Sequence, residues 1–289
     1  MKVVIGSEGF IGAAVAERLP DARHIPTSSK GARLDQDASW LDLKGVDTVY
    51  LCAGRTGGVG LMRKDPMAFV YPNIRIHLNV FEQCVKQGVK RVVLPGSTTG
   101  YADSPEAMKE ENYGLGELHP AYFLPGNTHR FIKKVSSAQP FEVLIFRPSN
   151  VYGPENNFDP ENSHVIEATV RKVAERHDPF VIWGDGKQVR DAVYVDDLAD
   201  AMVMDLPPGD YNVGSGEEMS VNEMVKLLLE YDGQTPKIEH DLSKPTAINA
   251  RRVDCSKLRS FGWTPKVSME KGLKATLDWY LHESLGLAD

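Results

Sequence analysis

Three glycines spaced three apart, Gly6, Gly9 and Gly12, stand directly behind the apolar run Val3-Val4-Ile5 and open the alanine-rich stretch Phe10 to Leu19. The first run has the length and content of a buried strand, and the second has the apolar face of a helix that Pro20 stops. A strand that turns at once into a helix leaves the first helical N–H groups without partners. Glycines at that turn let the backbone come close to a phosphate, so the loop reads as a cradle for a dinucleotide pyrophosphate. A plain tight turn would also account for a lone glycine pattern; the position behind a first strand favours the dinucleotide. Gly6, Gly9, Phe10, Ile11 and Gly12 are the cofactor-binding candidates of this loop.

Strand and helix signals go on alternating. Arg23 to Ile25 is a weak strand, and Asp47 to Cys52 a strong one ending at Ala53-Gly54, which join the cofactor candidates. Asn73 to Gln87 reads as a helix stopped by Gly88, and Val92 to Leu94 and Val143 to Phe146 as further strands. Continuous apolar strands linked by helices imply a doubly wound parallel sheet of the Rossmann-like α/β class. After Pro148 the pattern changes. Helices are expected near Ser163 to Arg176, Val195 to Met204, Val221 to Leu229, Cys255 to Phe261 and Met269 to His282, with isolated strands Phe180 to Trp183 and Tyr211 to Val213. The 289 residues suit about two domains. Residues 1–150 are assigned to dinucleotide binding, and residues 151–289 to a smaller C-terminal α/β lobe for the substrate, with some interleaving.

Composition removes several classes. Thirty-three Lys+Arg against 40 Asp+Glu give a net charge of -7, which argues against a nucleic-acid or anionic-membrane partner. No apolar stretch approaches the roughly 18 residues of a membrane span. Cys52, Cys84 and Cys255 are too scattered for a disulfide framework or a metal-ligand spacing, so no metal is expected and a reducing cytoplasm fits.

Two segments bear on chemistry. No acidic residue stands at the end of the second strand to bind a ribose hydroxyl; Thr27-Ser28-Ser29-Lys30 stands there, and its hydroxyls and lysine lean towards NADP over NAD. Gly96-Ser97-Thr98-Thr99-Gly100-Tyr101 places small hydroxyl side chains at the carboxyl end of the fourth strand, where ligands bind in such sheets.

The glycine spacing resembles that of the extended short-chain dehydrogenase/reductase superfamily, the NAD-dependent epimerases and dehydratases. Within it, Asn156-Asn157-Phe158-Asp159-Pro160-Glu161-Asn162-Ser163-His164-Val165-Ile166 is similar to the corresponding segment of the GDP-L-fucose synthases. So are Arg147 to Pro154, Trp183 to Gly186 and Arg190 to Asp197, with Gly57-Gly58-Val59, Tyr71-Pro72-Asn73 and Asp254 to Tyr280. The resemblance implies an NAD(P)-dependent epimerase or epimerase-reductase acting as a homodimer on a nucleotide-diphosphate sugar. It gives Ser97 a hydrogen bond to the sugar oxygen, Tyr122 the role of proton donor, His164 that of acid in epimerisation, and Asp35 a place facing the adenine. Arg190 becomes the pyrophosphate-binding arginine, with Asn150, Asn162, Lys187 and Arg252 as further substrate contacts.

Two positions depart from the family. The lysine expected four residues after Tyr122 is Gly126, and Thr99 stands where the fucose synthases carry a cysteine base. That lysine holds the nicotinamide ribose and sets a cation beside the tyrosine. Slow hydride transfer is therefore expected, with Gly126→Lys restoring it if the helix register allows. The same departures keep two other readings open: a dehydratase or isomerase that uses its cofactor non-reductively, and a cofactor-binding regulatory protein without catalysis.

Overall fold

The computed structural model describes residues 1–27, 33–58, 64–104, 106–244, 250–284 and 286. Its first half runs β1 (Lys2–Ile5), α1 (Phe10–Glu17), β2 (Arg23–Ile25), β3 (Thr48–Leu51), α2 (Met67–Gln87), β4 (Arg91–Pro95), α3 (Phe123–Ser137) and β5 (Glu142–Pro148). The second half runs β6 (Asn150–Tyr152), α4 (Val165–Ala174), β7 (Phe180–Trp183), β8 (Val189–Tyr194), α5 (Val195–Met202), β9 (Gly209–Val213) and β10 (Glu218–Ser220). It ends with α6 (Val221–Tyr231), β11 (Ile238–Asp241), β12 (Ala250–Arg251), α7 (Ser256–Ser260) and α8 (Met269–Trp279).

Six strands form one parallel sheet in the order β2-β1-β3-β4-β5-β9. Successive side chains on a strand face opposite ways, and both faces here are covered. Val3, Ile5, Val92, Leu94 and Ile145 join Ile76, Val80 and Phe81 of α2 in one core. Val4, Val93, Leu144 and Phe146 pack instead against Val15 of α1 and Leu198 of α5. That is why these strands read as unbroken apolar runs. The chain leaves β1 for β2 on one side and returns through β3 on the other, so the connections diverge there and open a crevice at the carboxyl ends.

The smaller assembly has strands β10-β8-β12, with β6 paired to β8, and a separate parallel pair β11-β7. Helices α4, α6 and α8 bury Ile166, Val170, Val225, Leu228, Leu273 and Leu277 against it. The two assemblies do not take consecutive blocks of sequence. β9, expected as an isolated strand, lies in register with β5 from Leu144↔Gly209 to Pro148↔Val213, and Tyr211 stacks on Phe146 at 5.5 Å. Arg147 of β5, fully buried, reaches Asp210 of β9 at 3.2 Å under the ring of Tyr113.

α2 begins at Met67, six residues ahead of the expected Asn73, and runs through Pro72. Asp65 Oδ1 accepts the Ala68 N–H at 3.2 Å and holds the first turn. Pro72 therefore forfeits one helical hydrogen bond near a capped end rather than breaking the helix.

Candidate active site

The glycine turn is built by close approach. Gly6 has φ +84 and donates its N–H to Ile25 O at 2.8 Å; a Cβ there would stand 2.7 Å from Ala53 N. At Gly12 a Cβ would stand 1.8 Å from Gly6 O. Gly9 differs. It precedes α1 with φ -79, and the nearest protein atom to a Cβ there is 3.4 Å away, so the protein leaves the space before the helix N-terminus open. Unpaired N–H groups facing an open, glycine-lined space fit a pyrophosphate.

From this turn a cleft runs between Phe10, Ile11 and the carboxyl ends of β3 and β4, taking in Ala53 and Gly54. Asn73 of α2 holds its near wall, accepting the Arg55 N–H at 2.8 Å and donating to Arg55 O at 2.9 Å. Cys52 faces the same cleft with its thiol pushed up to about 12 by burial. Ser28, Ser29 and Lys30 lie outside the described residues. Glu8 accepts the Thr27 N–H, which brings a carboxylate to the end of β2. Asp35 does not line the cleft: Arg33 holds its carboxylate with two hydrogen bonds, 2.9 and 2.8 Å, and lowers its pKa.

At the far end stand Ser97, Thr99 and Tyr122. Ser97 caps a turn over Thr98–Gly100 by accepting the Thr99 N–H at 3.1 Å, and its Oγ lies 2.8 Å from Thr99 Oγ1. His119 Nδ1 accepts the Ala121 N–H at 3.1 Å and so caps the turn that presents Tyr122. Gly126 is packed rather than open: a Cβ there would stand 2.5 Å from Thr99 O and 2.8 Å from Leu118 Cδ1. A lysine side chain therefore has no room at this position. His129, two turns beyond Tyr122 on α3, and His77 of α2 line the cleft instead. Burial lowers both, His129 to about 4 with the neighbouring His77 and Arg147 adding to the effect, so both rings are neutral at pH 7.

A second cavity adjoins the first, lined by Pro160, Ser163, Lys172, Phe180, Gln188 and Arg190 among others. Tyr122, Asn150, His164 and Val165 line both cavities and form the passage between them. His164 precedes the first turn of α4 as an exposed residue lining the passage, and desolvation by the protein around it lowers its pKa. Asn150 is held by donating to Asp191 O at 3.1 Å. Burial lowers the pKa of Arg190, and Tyr122 stands near enough to counter that effect. Gly58 packs on this segment: its N–H donates to Asn162 O at 2.8 Å, and a Cβ would stand 2.5 Å from Ser163 O.

Three expected substrate contacts do not line either cavity. Asn162 acts there through its carbonyl, Lys187 is exposed on the turn after β7, and Arg252 is paired with Glu218. Lining residues not singled out in the sequence include His77, His129, Lys172 and Glu167. The spacing of seven between Tyr122 and His129 puts them on one helix face and was the available signal. Glu167 is 1% exposed; Asn156 Nδ2 donates to its Oε1 at 2.6 Å, its Oε2 has no partner, and burial raises its pKa to about 7. Among the described residues no cluster of His, Cys, Asp and Glu could hold a metal ion, and no helix is long and apolar enough to cross a membrane.

Comparison with known proteins gives this geometry a family. GDP-L-fucose synthase 1 of Arabidopsis thaliana is 32% identical over 302 residues, covering 96% of this chain and 92% of that protein. The structure of a GDP-L-fucose synthetase from Naegleria fowleri bound to NADP superposes with a TM-score of 0.83 at 22% identity, covering 98% of this chain and 93% of the other. UDP-glucose 4-epimerase of Thermotoga maritima, solved with UDP-glucose, gives 0.82 at 23% identity, over 99% of this chain and all of the other. The family description "NAD dependent epimerase/dehydratase family" matches residues 2–214, from β1 through the carboxyl end of β9, and it is to this family that the chain belongs.

Proposed function

We propose that the protein is an NAD(P)-dependent epimerase or epimerase-reductase of a nucleotide-diphosphate sugar. The observation that carries this reading is that Tyr122, Asn150 and His164 line both cavities, so groups able to move protons stand where a cofactor in one and a sugar in the other would meet. The Gly6–Gly12 turn would hold the cofactor pyrophosphate and Arg190 the sugar pyrophosphate, a cationic site in a chain of net charge -7. The likeness to the fucose synthases supports the substrate class.

When bound, the nicotinamide supplies or takes up a hydride. Tyr122 gives its phenolic proton to the sugar carbonyl oxygen as that carbon is reduced, and Ser97 donates a hydrogen bond to the same oxygen. Thr99 orients the Ser97 hydroxyl from 2.8 Å. His164, at the passage between the cavities, is the acid that delivers a proton to one face of the carbon beside the ketone, and inversion there needs a second group to take the proton from the opposite face. Arg190 is the cation near Tyr122 where Gly126 supplies none.

NADP is the cofactor of this reading, on the chemistry of Thr27 to Lys30. The carboxylate of Glu8 at the end of β2 suits the ribose hydroxyl of NAD, and competitive titration of the two cofactors decides between them. A second reading, a non-reductive epimerase or dehydratase, is favoured by the closed packing at Gly126. It predicts proton exchange without net reduction of the sugar.

His164→Gln tests the assignment. The variant is expected to keep nucleotide-sugar binding and to lose about 10²-fold or more of solvent deuterium incorporation into a nucleotide-linked keto-sugar. Exchange at the wild-type rate would return His164 to a structural place at the start of α4.

A further inference from the structure

We propose that Glu167 is a charge switch behind the cofactor cleft, which shifts the protein's preference from the reduced to the oxidised dinucleotide as its carboxyl ionises. The inference rests on the cofactor reading above and adds a residue to which that reading gives no part.

Its basis is a buried carboxyl with nothing to neutralise it. Glu167 is 1% exposed and lies in the cleft wall with His164. One oxygen is fixed by Asn156 at 2.6 Å, and the other is covered and has no hydrogen-bond partner. A structural carboxylate in this position would be expected to hold an ion pair. Arg171, one turn further along α4, is engaged with Glu175 at 2.7 Å instead. His164 precedes the same helix, and Tyr122, His77 and His129 line the same cleft. The three histidines have lowered pKa values and are neutral near pH 7. Burial outweighs the hydrogen bonds from the residue's own backbone N–H and from Asn156, and places the titration of Glu167 at about 7. The carboxyl thus gains or loses its charge within the working range of such an enzyme.

The reacting end of the cofactor would lie beside Tyr122 and Ser97, which line the same cleft as Glu167. That ring carries a positive charge when oxidised and none when reduced. An ionised Glu167 therefore stabilises the oxidised form selectively, acting through space because its free oxygen is covered. The sign follows: raising pH through about 7 tightens the oxidised cofactor relative to the reduced one, and binding the oxidised form releases protons from Glu167.

The test is the ratio of dissociation constants for NADP⁺ and NADPH, and for NAD⁺ and NADH, measured by fluorescence and calorimetry at pH 6 and pH 8.5. Ionisation of the adenosine phosphate is common to both members of a pair and cancels. In the wild type the oxidised-to-reduced ratio should fall roughly three- to fivefold over this range, because one unit charge on another across about 12–20 Å at an effective dielectric of about 20 gives about a four- to tenfold coupling and Glu167 in the oxidised complex is already partly ionised at pH 6. In Glu167→Gln it should stay flat, and in His164→Gln it should still fall. A flat wild-type ratio, or an equal fall in Glu167→Gln, overturns the proposal while leaving cofactor binding intact. If neither pair binds, the cofactor reading fails and takes this inference with it. Should Glu167→Gln not fold, calorimetry of the wild type in two buffers of different ionisation enthalpy reads the same switch. Proton release on NADP⁺ binding at pH 7 in excess of that on NADPH binding supports it, and equal release overturns it.

Discussion

Gly9 and Gly12 are one residue type meeting two different demands. At Gly12 the demand is internal, because a Cβ 1.8 Å from Gly6 O has to push α1 away from the β1 turn. Gly12→Ala should therefore destabilise the apoprotein by about 1–3 kcal/mol or more, read in denaturant melts. At Gly9 the backbone is ordinary for any residue and the protein comes no nearer than 3.4 Å, so Gly9→Val should leave apoprotein stability within about 0.5 kcal/mol. Its cofactor affinity should nonetheless fall below detection in calorimetry, since the space it fills is the ligand's. Full binding by a folded Gly9→Val would remove the pyrophosphate from this turn. The glycine spacing was legible in the sequence because its cause is local. Glu167 was not: an acidic residue in the first turn of a helix is common for its favourable interaction with the helix dipole, and only the fold shows that Oε2 is covered and unpartnered.

The consequence of Gly126 belongs to α3 as a whole. The helix lies against the turn that carries Ser97 and Thr99, and Arg130 fixes the distance by donating from Nε to Gly100 O at 2.8 Å. With Thr99 O 2.5 Å from the site of a Cβ, position 126 is a contact point between two elements and has no opening to the cleft. The expectation that Gly126→Lys restores fast hydride transfer is therefore reversed. The substitution should lower both thermal stability and cofactor affinity, and Gly126→Ala should already cost about 1–3 kcal/mol by overpacking. A stable, faster Gly126→Lys would show that the helix can shift outward. Elements were legible where their reason was local, as in β1, α1, β4 and β7. They were misjudged where a distant partner decided: β9 needed Phe146 and the β5 edge, and α2 needed Asp65 to start ahead of Pro72. β8 was missed because Val189–Tyr194 mixes charge and apolar residues, and the burial of Asp191 depends on Ser149 and Ser215, whose hydroxyls donate to its Oδ1 at 3.4 and 3.1 Å.

For the whole molecule the unanswered surface is that of α2 and α3, which pack side by side. Tyr71, Leu78 and Val85 recur every seven residues on α2, and Leu124 and Phe131 do so on α3; all five are exposed, Tyr71 by 56%. A seven-residue apolar repeat is the pattern of a helix seam that a further helix covers. Two adjacent seams in one chain form a face that a twofold axis can set against itself, closing four helices into a bundle without leaving an edge. The 21 residues of α2 alone extend about 31 Å at ~1.5 Å per residue, long enough for an interface of the usual area. The homodimer implied by the family resemblance is accordingly proposed to form here, on the side of the sheet away from the small assembly's core. Sedimentation of the wild type at tens of micromolar should give about twice the chain mass of 32.0 kDa. Leu78→Arg combined with Phe131→Arg should give a folded species of one chain mass, because two buried guanidinium groups per chain would lack partners across the axis. Both positions face outward from the cleft, so cofactor titration of the double variant should match the wild type, separating loss of pairing from loss of fold. A wild type that sediments as one chain, or a double variant that still pairs, would place any dimer elsewhere on the molecule.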